Sequence, residues 1–106
     1  MTFKTSNCVA LGVADKRRAA ELYRDVLGFE EVKEGSNWIE MKTGALRIFL
    51  CEDEVKVPCF DLETEDLDLA KAHLEQAGFV QVDLAPGEIF MRDPNGYHYC
   101  LSKSGP

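Results

Sequence analysis

The reactive side chains of this sequence are three cysteines and a histidine, Cys8, Cys59, Cys100 and His98, with Cys51 as a fourth thiol. Thiolates and imidazole together suit a soft-metal site for Zn²⁺ or Cu(I). His98 stands two residues before Cys100, so on a strand both share one face. Imidazole there could also serve as a general base, or pair with a cysteine nucleophile. No Cys-x-x-Cys pair occurs, which excludes a zinc ribbon and a thioredoxin-type redox motif. The simpler reading is that small, moderately apolar thiols fill a pocket and His98 lines it. That reading is preferred, because nothing else in the sequence demands a metal. His73, in a helical segment opposite most of its apolar stripe, reads as a surface residue.

Composition limits the partners. The chain has 106 residues, 45% hydrophobic and 29% charged, with 19 Asp plus Glu against 12 Lys plus Arg. A net charge of −7 disfavours nucleic acid, whose recognition needs a basic footprint. Lys16-Arg17-Arg18 is the only tight basic group and reads as a solvated helix start. No apolar run approaches the roughly 20 residues that cross a bilayer, so no membrane span is expected. Cysteines read as reduced thiols, without a signal-like apolar stretch near the N-terminus, imply a cytoplasmic protein.

Two copies of one pattern position these residues. Gly28-Phe29 and Gly78-Phe79 lie fifty residues apart, as do Val32 and Val82, while Cys8-Val9-Ala10-Leu11 matches Cys59-Phe60-Asp61-Leu62 at fifty-one. One domain, residues 1–106, therefore holds two repeats, about 1–53 and 54–106, each too small to bury a core alone. In the first, residues 7–13 alternate as a strand. Asp15 caps a helix over 16–27, with Ala19, Leu22, Tyr23 and Val26 as its buried stripe, and Gly28 ends it. Strands follow near 29–32, 38–41 and 45–51. In the second, a strand over 58–64 precedes a helix capped by Asp66, carrying Leu67, Ala70, Leu74 and Ala77 inward and closed by Gly78. Strands near 80–83, 88–92 and 97–102 complete it, the last two joined by the four-residue turn Asp93-Pro94-Asn95-Gly96. The organisation is βαβββ twice, an α+β fold.

The stretch from Cys8 to Asp15 followed by Leu22-Tyr23-Arg24-Asp25-Val26-Leu27-Gly28-Phe29, together with Met91-Arg92-Asp93-Pro94-Asn95-Gly96-Tyr97, resembles the vicinal oxygen chelate superfamily. That superfamily includes glyoxalase I, extradiol dioxygenases, fosfomycin-resistance enzymes and bleomycin-resistance proteins. The resemblance implies a curled mixed sheet with helices on the convex face and the site on the concave face. It also implies a metal held by His or Glu of module strands in the family's enzymes. Here the corresponding positions are Cys8, Cys59 and Cys100, with Arg47 or Phe49 at the fourth, and none keeps a His or a carboxylate.

Strand parity nominates the remaining lining. With Ile39, Met41, Leu46, Ile48 and Leu50 under a helix, Trp38, Glu40, Arg47 and Phe49 face the other way. Asp61 and Glu63 alternate with Phe60 and Leu62. If the four-residue turn sets the hairpin register, Ile89 and Met91 join His98 and Cys100, and Phe90, Tyr99 and Leu101 pack beneath the helices. An aromatic wall with few charges suits a planar or cationic organic ligand. The expected function is a metal-independent, cofactor-free binder of an antibiotic-like or aromatic or cationic small molecule, similar to bleomycin-resistance proteins. The expected ligand-binding residues are Cys8, Trp38, Glu40, Arg47, Phe49, Cys59, Asp61, Met91, His98 and Cys100. The alternative is a divergent metal-dependent lyase or dioxygenase-like enzyme using the three thiolates. The resemblance further implies a homodimer.

Overall fold

The computed structural model describes residues 3–52 and 58–104. The chain forms two compact units, Asn7–Pro58 and Cys59–Pro106, with the residues up to Ser6 grouped with the second. Phe3 accordingly packs in the second unit, its ring 6.0 Å from that of His73.

The first unit runs β1 (Lys4–Val13), α1 (Lys16–Leu27), β2 (Glu30–Glu34), β3 (Trp38–Lys42) and β4 (Arg47–Glu52). Its strand order is β2-β3-β4-β1, with β4 parallel to β1 and antiparallel to β3. The Asp15 carboxylate caps α1 by accepting from the Arg18 N–H at 3.1 Å. Gly28 ends it at φ 74°, a left-handed conformation that costs an L side chain energy. Beneath α1 lie Ile39, Met41 and Leu50, fully buried with Ala20 and flanked by Leu11, Val13, Ala19, Tyr23 and Phe29. Each such side chain contributes about 1.5–3 kcal/mol by leaving water.

The stripe expected for α1 is half right. Ala19 and Tyr23 pack on the core, but Leu22 is 56% and Val26 70% exposed. The inward face instead uses the alanines, whose small side chains let the helix lie close to Ile39 and Met41. Lys16 and Arg17 are anchors, not a solvated start. Lys16 Nζ donates to the carbonyls of Gly35 at 2.6 Å and Ser36 at 3.0 Å and pairs with Glu34. Arg17 forks onto both Glu31 oxygens and reaches Glu34. The helix start is thereby tied to β2 and to the turn before β3.

The second unit runs β5 (Cys59–Thr64), α2 (Leu67–Gln76), β6 (Val80–Val82), β7 (Ile89–Arg92) and β8 (His98–Lys103). Its order is β5-β8-β7-β6, with β8 parallel to β5 and antiparallel to β7. Asp66 caps α2 through the Leu69 N–H at 3.0 Å. Ala70, Leu74, Met91 and Leu101 form the core, with Phe3, Leu62, Leu67, Phe79 and Ile89 around it. Ala77, expected inward, is the exposed C-cap residue.

The β7–β8 hairpin corrects the sequence reading. The Asp93 N–H donates to the Tyr97 carbonyl at 2.9 Å, so Arg92 pairs with His98 around a loop of residues 93–97. That loop is one residue longer than the four-residue turn, and a one-residue slip turns every side chain of β7 over. Met91 and Ile89 therefore lie in the core beneath α2, and Phe90 shares the face of His98 and Cys100. Tyr99 and Leu101 keep the expected side.

Asp93 fixes this loop. Its carboxylate accepts from the N–H groups of Asn95 (2.8 Å) and Tyr97 (3.0 Å) and from the Tyr99 hydroxyl (2.9 Å). Burial pushes this carboxyl up, but these hydrogen bonds outweigh it and hold it below its ordinary value. A folded-state pKa below the unfolded one adds stability that is present above the unfolded value, near pH 4, and lost as pH falls through the folded value. Urea unfolding at steps from neutral pH to about pH 3 is expected to show a steeper acid loss for the wild type than for Asp93→Asn. Superimposable acid limbs would contradict this role for Asp93.

Candidate functional site

The face of the first module turned away from α1 is set by two registers. Between β1 and β4, Cys8 lies opposite Arg47 and Ala10 opposite Phe49. Between β3 and β4, Trp38 lies opposite Cys51 and Glu40 opposite Phe49. Because Ile39, Met41 and Leu50 are buried under the helix, Cys8, Trp38, Glu40, Arg47 and Phe49 share the other face. These expected lining residues of the first module are thus together on one wall.

Its centre is aromatic. The rings of Trp38 and Phe49 lie 5.8 Å apart at an interplanar angle of 60°, a tilted contact favoured by the ring quadrupoles. Arg47 Nε donates to Glu40 Oε2 at 2.9 Å, and Arg47 Cζ stands 5.4 Å from the Phe49 centroid. The Glu40 side chain is 13% exposed and that of Arg47 45%, so the carboxylate is sunk in the wall and the guanidinium forms its rim. The hydrogen bond to Glu40, then the neighbouring Cys8, raise the pKa of Arg47, which keeps its charge.

Gly35 seats the tryptophan. A Cβ added there would stand 2.1 Å from an indole carbon, so only glycine lets the ring lie against this backbone. The Gly35 N–H donates to the Trp38 carbonyl at 2.8 Å, and Lys16 holds the Gly35 carbonyl. Neither Gly35 nor Lys16 figures among the residues expected from sequence. The only local signal is a glycine shortly before a lone tryptophan, which does not reveal that the two touch.

The second module holds the other candidates. Cys59 lies opposite His98 and Asp61 opposite Cys100 in the β5–β8 register, on the face turned away from α2. Met91 is not on that face, for the reason given by the hairpin loop; Phe90 takes its place opposite Cys100. His98 is 8% exposed, and its Nδ1 has no hydrogen-bond partner among the described residues. Burial pushes the Cys100 thiol up to about 12, and the carboxylates of Glu88 and Asp61 push in the same direction.

These side chains differ from the His and Glu donors that the family resemblance implies for a metal site. A metal ligand must be a thiolate, and the raised pKa of Cys100 adds to the cost of releasing its proton. At the fourth family position, Arg47 offers a cation and Phe49 offers no donor. Among the described residues no three His, Cys, Asp or Glu side chains come together as a metal-binding group.

Two βαβββ modules, each with its helix on one face of a mixed sheet, define the class. The glyoxalase-like domain family matches residues 8–102, and the chain belongs to it. No curated protein is matched at a significant level. Among solved structures, the fold is similar to that of a glyoxalase/bleomycin resistance protein/dioxygenase superfamily member from Vibrio splendidus (14% identity, 96% of this chain and 98% of that one, TM-score 0.67). It is also similar to methylmalonyl-CoA epimerase from Streptomyces coelicolor (18%, 99% and 100%, TM-score 0.69). A third likeness is to methylmalonyl-CoA epimerase from Mycobacterium tuberculosis (23%, 96% and 88%, TM-score 0.64). At these identities the likeness is one of fold, and function has to be argued from the site.

Proposed function

We propose that the protein binds a small aromatic or cationic organic molecule on the first module's wall, without a metal and without chemical conversion. The observation that carries this reading is the Trp38–Phe49 pair with the sunken Glu40 carboxylate beside it. Tilted aromatic rings offer flat, polarisable surface, and a neighbouring carboxylate attracts positive charge into it. Bleomycin-type antibiotics, planar and cationic, belong to the class of ligand this arrangement suits.

The competing reading is a lyase or dioxygenase-like enzyme whose metal sits on Cys8, Cys59 and Cys100. The raised Cys100 pKa weighs against it, because releasing that proton beside Asp61 and Glu88 adds to the cost of binding metal. Elemental analysis of protein purified without added metal separates the two. Less than a tenth of an equivalent of zinc or copper, roughly, is expected, since tight thiolate sites fill during expression. Stoichiometric metal, lost in Cys8→Ser or Cys100→Ser, would overturn the binder.

A further inference from the structure

Arg47 is the odd member of the wall. It is the most solvent-exposed of the group, yet it rests on the ring and the carboxylate that an incoming cation would use. We propose that Arg47 is a built-in occupant of a cation subsite made by Phe49 and Glu40, and that a ligand bearing a guanidinium or ammonium group binds by displacing it. This rests on the reading that the first module's wall is a ligand site, and it adds which charge the ligand carries and what regulates entry.

The geometry is asymmetric in the way a displaceable occupant requires. Phe49 and Glu40 lie on adjacent antiparallel strands, directly opposite each other, and Glu40 is mostly buried. Backbone pairing holds the two positions facing each other, and the Phe49 ring also packs against Trp38. Arg47 touches it only through a long side chain, 45% exposed, with Nε on Glu40 and Cζ over the ring. A carboxylate beside an aromatic face is a recognition arrangement for organic cations. An exposed ion pair holds its long side chain weakly, because it spends rotamer entropy and is screened by solvent. A tethered arginine therefore competes with incoming cations at little cost and yields to one that also carries an aromatic body for Trp38. The opposite use, Arg47 as an anchor for an anion, is disfavoured because Glu40 already neutralises it and would repel an anion.

Titrations of the full chain followed by Trp38 emission, with phenylguanidinium, the neutral isostere phenylurea, and benzoate, test this. Arg47→Met keeps an unbranched apolar stem and removes the competing cation. It is expected to bind phenylguanidinium about five- to tenfold more tightly than the wild type, the scale of an exposed cation–π and ion-pair contact. Phenylurea affinity is expected to change less than about twofold, because an uncharged group gains little from Glu40. Adding Glu40→Gln to Arg47→Met is expected to abolish the gain. Arg47→Gln gives the same comparison if the methionine variant folds poorly. Equal or weaker phenylguanidinium binding by Arg47→Met, with wild-type binding intact, would overturn the displacement while leaving the wall a ligand site. Benzoate binding by the wild type that disappears in Arg47→Met would make Arg47 an anion anchor instead. Binding of none of the three by either protein would remove the ligand site, and the displacement with it.

Discussion

Truncating Met91 to alanine is expected to cost about 2–5 kcal/mol of stability, the range for large-to-small changes at fully buried sites. Met91 is 0% exposed and packs with Ala70, Leu74 and Leu101 under α2. Alanine there removes the whole thioether chain and leaves a cavity that strands β7 and β8, fixed by their ladder, cannot close. Urea denaturation measures the loss as a lower midpoint with an unchanged slope. Phe90→Ala is the companion. Phe90 is only half-buried on the opposite face, so its truncation is expected to cost clearly less despite the larger side chain. Ligand affinity at the first module is expected to stay the same in Met91→Ala. A small effect for Met91 with a large one for Phe90 would mean that the hairpin closes with the shorter, four-residue turn.

Removing the indole is expected to have the largest effect on binding. Trp38→Ala takes away one of the two rings of the wall, and a stacked or cation-bearing ligand then loses on the order of 1–3 kcal/mol. Because this variant has no other tryptophan to report, calorimetry is the measurement, with circular dichroism to confirm the fold. Gly35→Ala tests the same contact from the other side. Its methyl group would collide with the indole, so the ring has to leave its seat and affinity is expected to fall although the aromatic residue is still present. Undiminished affinity in both variants would put the ligand elsewhere.

Much of this was legible in the sequence where a local signal dominates. Asp15 and Asp66 announce their helices because a carboxylate before an amphipathic run has one obvious use, and both cap as expected. The side chains of β3 and β4 could be assigned because Ile39, Met41 and Leu50 alternate with polar or aromatic residues over an unbroken ladder. The β7–β8 hairpin was not legible to the same degree. Its register depends on whether Tyr97 belongs to the strand or the loop, and that is decided by the Asp93 N–H bonding the Tyr97 carbonyl. The burial of α1 was misjudged for a different reason. The i, i+3, i+4, i+7 spacing places Leu22 and Val26 with Ala19 and Tyr23, whereas close approach to the sheet is made by Ala19 and Ala20. Lys16 and Arg17 look solvated in any local window, since Glu31, Glu34 and the Gly35 carbonyl lie 14 to 19 residues away. The cysteines at the family's metal positions were visible at once. That burial, with Glu88 and Asp61, pushes the Cys100 thiol up depends on contacts that only the fold brings to bear.

The most direct measurement of the central claim is a Trp38 emission titration of chelator-treated protein with aromatic cations, phenylguanidinium and bleomycin-type antibiotics among them. A saturable change that is the same before and after chelation is expected, because the wall of Trp38, Phe49 and Glu40 contains no metal ligand set. No saturable change with any of these cations, or binding that appears only when zinc or copper is restored, would contradict it.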